Sequence, residues 1–165
     1  MGNQSREWQS LGPAERELIS SYHNDFPVKL GGIAKDLGLT VKVRSLEAGI
    51  SGKILDNGNN FEIYVNKHEI KERQRFTLAH EISHYLLHRD LIGDGIVDSI
   101  LYRSNLSDSR EAEANRLAAD ILMPKFKVHE IYSKAEDLNE VQKYEYIAKF
   151  LGVSTTALKI RMGKA

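Results

Sequence analysis

His80-Glu81-Ile82-Ser83-His84 places two imidazoles four residues apart with a carboxylate directly after the first. On a helix, residues i and i+4 share one face, so both rings can converge on a single ion. Glu81 falls about 100° further round the helix. It can therefore face an attacking water without replacing a ligand. A zinc ion at such a site lowers the pKa of water toward neutrality, and the neighbouring carboxylate accepts the proton as a carbonyl is attacked. The pattern thus points to zinc-dependent hydrolysis, with His80 and His84 as metal ligands and Glu81 as general base.

A catalytic zinc requires a third protein ligand. The chain has no cysteine, so the ligand must be His, Asp or Glu. His88 continues the series, but eight helical residues rise about 12 Å, too far for His80 and His88 to share one ion. It reads instead as a helix-end histidine held by the C-terminal dipole or a neighbour. A glycine-turn arrangement, HExxHxxGxxH, is set aside because Leu87 stands at the glycine position and Asp90 at the third-ligand position. The segment from Asp108 to Pro124 offers a better donor. Stepping about 100° per residue puts Ala114, Leu117, Ala118, Ile121 and Leu122 on one apolar arc, with Glu111 and Asn115 at its edge. Glu113, Arg116 and Asp120 fall on the opposite, solvated side. Glu111 is the expected third ligand, and Asn115, one turn on, the expected partner of a ligating histidine. Asp108-x-x-Glu111 also fits a helix capping box.

These residues need elements to position them. The segment from about Glu69 to Arg89 has a helical pattern, as does Asp108 to Met123, stopped by Pro124. Ahead of them, Val28 to Leu37 reads as a helix ended by Gly38. Thr40 to Arg44 and Phe61 to Val65 alternate as strands. Between those lie Gly52-Lys53-Ile54-Leu55 and the turn signal Asp56-Asn57-Gly58-Asn59-Asn60, which together predict a small antiparallel sheet. Residues 90–107 read as a loop. From Lys125 the chain is helical again, and Ile147 to Leu158 has the outline of a helix-turn-helix: helix, Gly152, then a helix capped by Ser154.

The bulk composition narrows the function classes. The 165 residues are 41% hydrophobic and 28% charged, a balance typical of a globular domain. Lys plus Arg equals Asp plus Glu at 23 each, so the basic excess of a general nucleic-acid binder is missing. Nucleic acid is therefore not expected as a direct ligand. In the helix-turn-helix outline Lys159, Arg161 and Lys164 are offset by Glu140 and Glu145, which favours a packing or substrate-docking role. No apolar run approaches membrane-spanning length and the N-terminus is polar, so a cytoplasmic protein is expected.

Arg75-Phe76-Thr77-Leu78-Ala79-His80-Glu81-Ile82-Ser83-His84-Tyr85-Leu86-Leu87-His88, together with Glu111-Ala112-Glu113-Ala114-Asn115-Arg116-Leu117-Ala118-Ala119-Asp120-Ile121-Leu122-Met123-Pro124, resembles the ImmA/IrrE metallopeptidases. The resemblance runs from about Val28 to the helix-turn-helix outline. It departs from the family pattern at Leu117, where phenylalanine is common, a swap between apolar side chains. It implies an α+β, zincin-like domain over residues 1–124, with a small antiparallel sheet, an HExxH helix and a glutamate helix. A helical, helix-turn-helix-like subdomain over 125–165 would pack on it. It further implies Zn2+ on His80, His84 and Glu111, Glu81 as base, and site-specific cleavage of a helix-turn-helix repressor. The strand Phe61 to Val65 is a candidate edge for an extended substrate. Tyr85, His88, Tyr102 and Arg103 are candidates to stabilise the oxyanion. A non-proteolytic regulatory binding module on the same fold is the alternative, but such a module has no need of Glu81.

Overall fold

The computed structural model describes residues 4–99 and 107–164. Two short helices, α1 (Arg6–Ser10) and α2 (Pro13–Ser20), precede α3 (Leu30–Asp36). Strands β1 (Thr40–Arg44), β2 (Ile50–Asp56) and β3 (Phe61–Asn66) follow, then the long α4 (Lys71–Leu87) and the single turn α5 (Arg89–Ile92). Strand β4 (Ile96–Ser99), α6 (Asp108–Leu122), α7 (Lys125–Lys134), α8 (Glu140–Leu151) and α9 (Thr155–Arg161) complete the described chain. None of its helices is long and apolar enough to cross a membrane among the described residues.

The α+β class holds, but the sheet differs from the expected antiparallel one. It is mixed, in the order β1-β3-β2-β4, with β1 parallel to β3 and β2 antiparallel to both β3 and β4. Alternation of apolar residues marks a strand but carries no direction, so period-2 patterning could not reveal the parallel pair. The segment expected as a loop at 90–107 contributes the edge strand β4. Only Ile96 and Val97 are apolar there, too short a run to register as a strand. The same topology decides between the two readings of Phe61 to Val65, a substrate-receiving edge or an internal strand, in favour of the internal strand. Strand β3 lies between β1 and β2, so its backbone groups are already paired on both sides. The edges are β1 and β4.

Helix α4 packs on the sheet through a close approach that glycine permits. A Cβ at Gly52 would lie 2.5 Å from Thr77 Cγ2 and 2.6 Å from the Tyr64 carbonyl oxygen. Ile54 and Ile63 from the sheet and Ile82 from α4 are fully buried in the resulting layer. Burying each such side chain stabilises the fold by about 1.5–3 kcal/mol. Helix α6 covers α4 with the predicted arc of Ala114, Leu117, Ala118, Ile121 and Leu122, all without exposure.

The far side of α6 is covered as well, contrary to the expectation of a solvated face. Asp120 is fully buried. It accepts from the Ser5 backbone N–H at 3.2 Å and from the Ser5 hydroxyl, and pairs with Arg161 Nη2 at 2.8 Å. Arg161 also donates to the Met123 carbonyl at 2.9 Å and to Gln4 Oε1 at 2.8 Å. The N-terminal segment and α9 thus meet on α6, an arrangement that a helical wheel for α6 alone cannot anticipate.

The helix-turn-helix outline forms as expected. Gly152 ends α8 in the left-handed region at φ +68°, and Ser154 caps α9 by accepting from the Ala157 N–H at 3.0 Å. Ile147, Leu151, Val153 and Leu158 join the same apolar cluster as the residues of α4 and α6. Arg75 on α4 reaches across to the Gly152 carbonyl at 3.3 Å and to the Val28 carbonyl at 2.9 Å.

Candidate metal centre

The second half of α4 is buried around almost its whole circumference, from Ala79 through His84. Among those residues are two histidines and a glutamate, side chains that are rarely buried without a partner. His80 and His84 present their Nε2 atoms to each other at 3.1 Å. Glu111, in the first turn of α6, brings Oε2 to 3.0 Å from His84 Nε2 and Oε1 to 3.7 Å from His80 Nε2. Ligand atoms around a tetrahedral zinc with bonds of about 2.0–2.1 Å are themselves about 3.3–3.4 Å apart. The observed spacings bracket that value. Glu111 Oε2 is buried against His84 Nε2 without well-aligned hydrogen-bond geometry. The three groups converge in one place, and together they could hold a metal ion.

The helix start at α6 decides between the two readings of Glu111. Ser107, not Asp108, is the N-cap, its hydroxyl accepting from the Arg110 N–H at 3.3 Å. The Glu111 side chain is turned to the histidines instead of back onto the helix end. Burial works to raise its carboxyl, but the imidazoles of His80 and His84 outweigh that and hold it well below the usual carboxylate range. Burial likewise lowers the pKa of His84, favouring the neutral ring that a metal needs.

The outer nitrogens of both histidines are also engaged. His80 Nδ1 lies 2.8 Å from Asn115 Oδ1, as the sequence suggested. With Nε2 free for an ion, His80 carries its proton at Nδ1 and donates it to the amide oxygen. His84 Nδ1 lies 2.9 Å from His88 Nδ1, and His88 Nε2 lies 3.0 Å from Glu113 Oε1. One tautomeric pattern satisfies this whole chain. His84 donates from Nδ1 to His88, and His88 donates from Nε2 to the Glu113 carboxylate, whose pKa that bond lowers. Glu113 is thus only partly exposed and tied to the site, whereas the wheel placed it in solvent. Replacing Asn115 with alanine is expected to lower zinc affinity about 10–100-fold through loss of ring orientation. Competition against a zinc chromophore measures this, and unchanged affinity would show that Asn115 does not set the ring.

Glu81 is fully buried, and neither of its carboxylate oxygens has a hydrogen-bond partner. Burial pushes its pKa far above the ordinary carboxylate range, and the carboxylates of Asp98 and Glu111 push it further. A buried, unsatisfied carboxylate is costly, and a divalent cation beside it relieves that cost. The donor set and this orphaned carboxylate both fit a metal. Asp98, on β4, approaches His80 and Glu81 closely and was not anticipated. No sequence signal marks it, because Ile96 and Val97 are too short an apolar run to identify its strand.

Of the oxyanion candidates, His88 is held between His84 and Glu113. The Tyr85 ring packs edge-on against Phe61 at 5.2 Å, with the Arg89 guanidinium 4.0 Å from its centroid. Tyr102 and Arg103 lie outside the described residues. His80, Asp98 and Glu111 open on a cleft of about 1180 Å³ that Val153, Ala157 and Ile160 also line. That exceeds the usual size of a small-molecule pocket, about 300–1,000 Å³.

Comparison with curated proteins yields no match. The family model of Peptidase_M78, the IrrE N-terminal-like domain, matches residues 34–162, which takes in the sheet, both metal-site helices and the C-terminal helix pair. With a buried HExxH helix and a glutamate helix facing it, the chain belongs to the Peptidase_M78 metallopeptidase family.

Proposed function

We propose that this protein is a zinc-dependent endopeptidase acting in the cytoplasm on a helix-turn-helix repressor or antitoxin-like partner, which it cuts at a specific site. The observation that carries the reading is Glu81: a fully buried carboxylate without a partner, set beside a convergent His/His/Glu cluster. A binding module would have no use for so costly a group.

His80, His84 and Glu111 are the proposed ligands, a nitrogen- and oxygen-donor set suited to zinc with one position left open. Zinc there would supply a Lewis acid and an acidified water. Glu81 acts as general base, holding the water's proton on a carboxylate oxygen and passing it to the leaving amine nitrogen. Asn115 and the His88–Glu113 pair keep the imidazoles oriented through the cycle. The buried walls around Glu81 keep bulk water from that proton.

The repressor reading draws on the family, and the cleft supports a peptide-sized occupant. Residues 125–165 are proposed as a helical subdomain on the 1–124 core that helps dock the substrate, since Val153, Ala157 and Ile160 line the same cleft as His80 and Glu111.

Metal content of the purified protein tests the centre. About one zinc per chain is expected for wild type, with strong loss in His80→Ala and in Glu111→Ala. Co-expression with helix-turn-helix repressors, read by mass spectrometry of the products, tests the substrate class. One defined cut that needs Glu81 is the expected result. Zinc binding with the repressors left intact would favour the binding-module alternative.

A further inference from the structure

His80, Glu81 and Asp98 each offer a ligand atom, and these atoms lie within 4.8 Å of one another. Ligand atoms that share one magnesium- or calcium-type ion, bound at about 2.0–2.6 Å, lie no more than roughly 5.2 Å apart, so the three groups are close enough to hold a single cation. Acidic residues often gather without binding anything, but Glu81 adds a separate observation. It has no exposure, and both its oxygens lack partners. Asp98 comes from the edge strand β4 and is partly exposed to the cleft. Arg73 Nη2 pairs with Asp98 Oδ2 at 3.9 Å, beyond hydrogen-bond distance, so the oxygen lone pairs can still engage an ion.

We propose that the cleft holds a second cation position, formed by a ring nitrogen of His80 and the carboxylates of Glu81 and Asp98, which takes an oxygen-preferring divalent ion. Two carboxylates and one imidazole make a harder donor set than His/His/Glu, which favours ions of the manganese class relative to zinc. The two positions are alternatives. His80 has one nitrogen to offer, because Nδ1 is engaged by Asn115 at 2.8 Å. An ion in the second position occupies Glu81. On the peptidase reading above, this silences the base, so the site has an off state set by which ion is bound. The cation position itself does not depend on that reading.

Manganese and zinc affinities of the wild-type protein and of Asp98→Asn test the proposal, with free Mn2+ followed by electron paramagnetic resonance. The substitution is expected to weaken Mn2+ binding at least tenfold and to leave zinc affinity within about twofold. Equal changes for both ions, or no change for either, would overturn the proposal. A second background removes the zinc position outright. His84→Ala/Glu111→Ala is expected still to bind one Mn2+ per chain, and adding Asp98→Asn or Glu81→Gln to abolish it. Far-ultraviolet circular dichroism checks that this double variant is folded, and if it is not, the wild-type selectivity shift decides. If wild type cuts no repressor yet shows that shift, the function proposal fails and the cation position stands. Cleavage without the shift has the opposite meaning.

Discussion

Glu81→Gln is expected to abolish cleavage, keep zinc, and make the metal-free protein more stable than wild type. Removing a general base lowers the rate by about 10²–10⁴-fold, while the three proposed ligands are untouched. The stability change has an unusual sign for a substitution in a buried site. The wild-type carboxyl sits without exposure or hydrogen bonds, with Asp98 and Glu111 nearby. A glutamine of nearly the same shape carries no charge and can donate its amide N–H to those carboxylates. Relief of the unsatisfied group is worth about 1–3 kcal/mol, or very roughly 2–4 °C in melting temperature for each kcal/mol in a chain of this size.

The sign with pH follows from linkage. Burial raises the folded-state pKa of Glu81 above its unfolded value, so below that value, about 4.5, both states are protonated and the ionisation of the group no longer disfavours folding. As pH rises past 4.5 the unfolded chain ionises first and wild type loses stability relative to the variant. The advantage of Glu81→Gln is therefore expected to be larger at pH 7 than near about pH 4. Thermal melts of both proteins in chelator at the two pH values measure it. A variant less stable than wild type at pH 7 would mean that Glu81 has a partner in the metal-free fold.

Arg161→Ala is expected to destabilise the fold by about 3–5 kcal/mol, because it leaves a buried carboxylate without its counter-charge. Asp120 has no exposure and the Arg161 side chain 7%. The same substitution removes the bonds to the Met123 carbonyl and to Gln4, so the junction between the N-terminal segment, α6 and α9 loosens together. Asp120→Asn is expected to cost less, since the amide oxygen still accepts from Arg161 and Ser5. Trp8, the single tryptophan, is buried in α1 beside this junction and reports unfolding in urea by its fluorescence. Zinc stoichiometry is expected to survive, because Arg161 acts on the C-terminal half of α6 and Glu111 lies in its first turn. A loss below about 1 kcal/mol would place the pair among ordinary surface ion pairs.

Arg161 also shows where reading the residues in order reaches its limit. As a base in a helix-turn-helix outline it is assigned a packing or docking role with no partner specified, and its charge is spent on Asp120 inside the protein. Local, periodic features follow from residue order alone. The spacing of His80 and His84 follows from the helix repeat, as does the apolar arc of α6. Gly152 and Ser154 mark the helix turn because only certain residues suit those backbone and capping positions. Within α6 the same arithmetic brought Glu111 and Asn115 to the protein-facing edge.

Tertiary structure decided whatever depends on which segments meet. The parallel pairing of β1 with β3 and the insertion of β3 between two strands involve strand direction and long-range order, which alternation does not encode. Asp98 reaches Glu81 only because β4 adds to the sheet beside α4. The His84–His88–Glu113 chain exists only because α6 crosses α4 at that height. Asp120 is buried because two distant segments close over the side of α6 that its own sequence leaves polar. A helical wheel records one helix's faces, but the surroundings of each face are set by the rest of the chain.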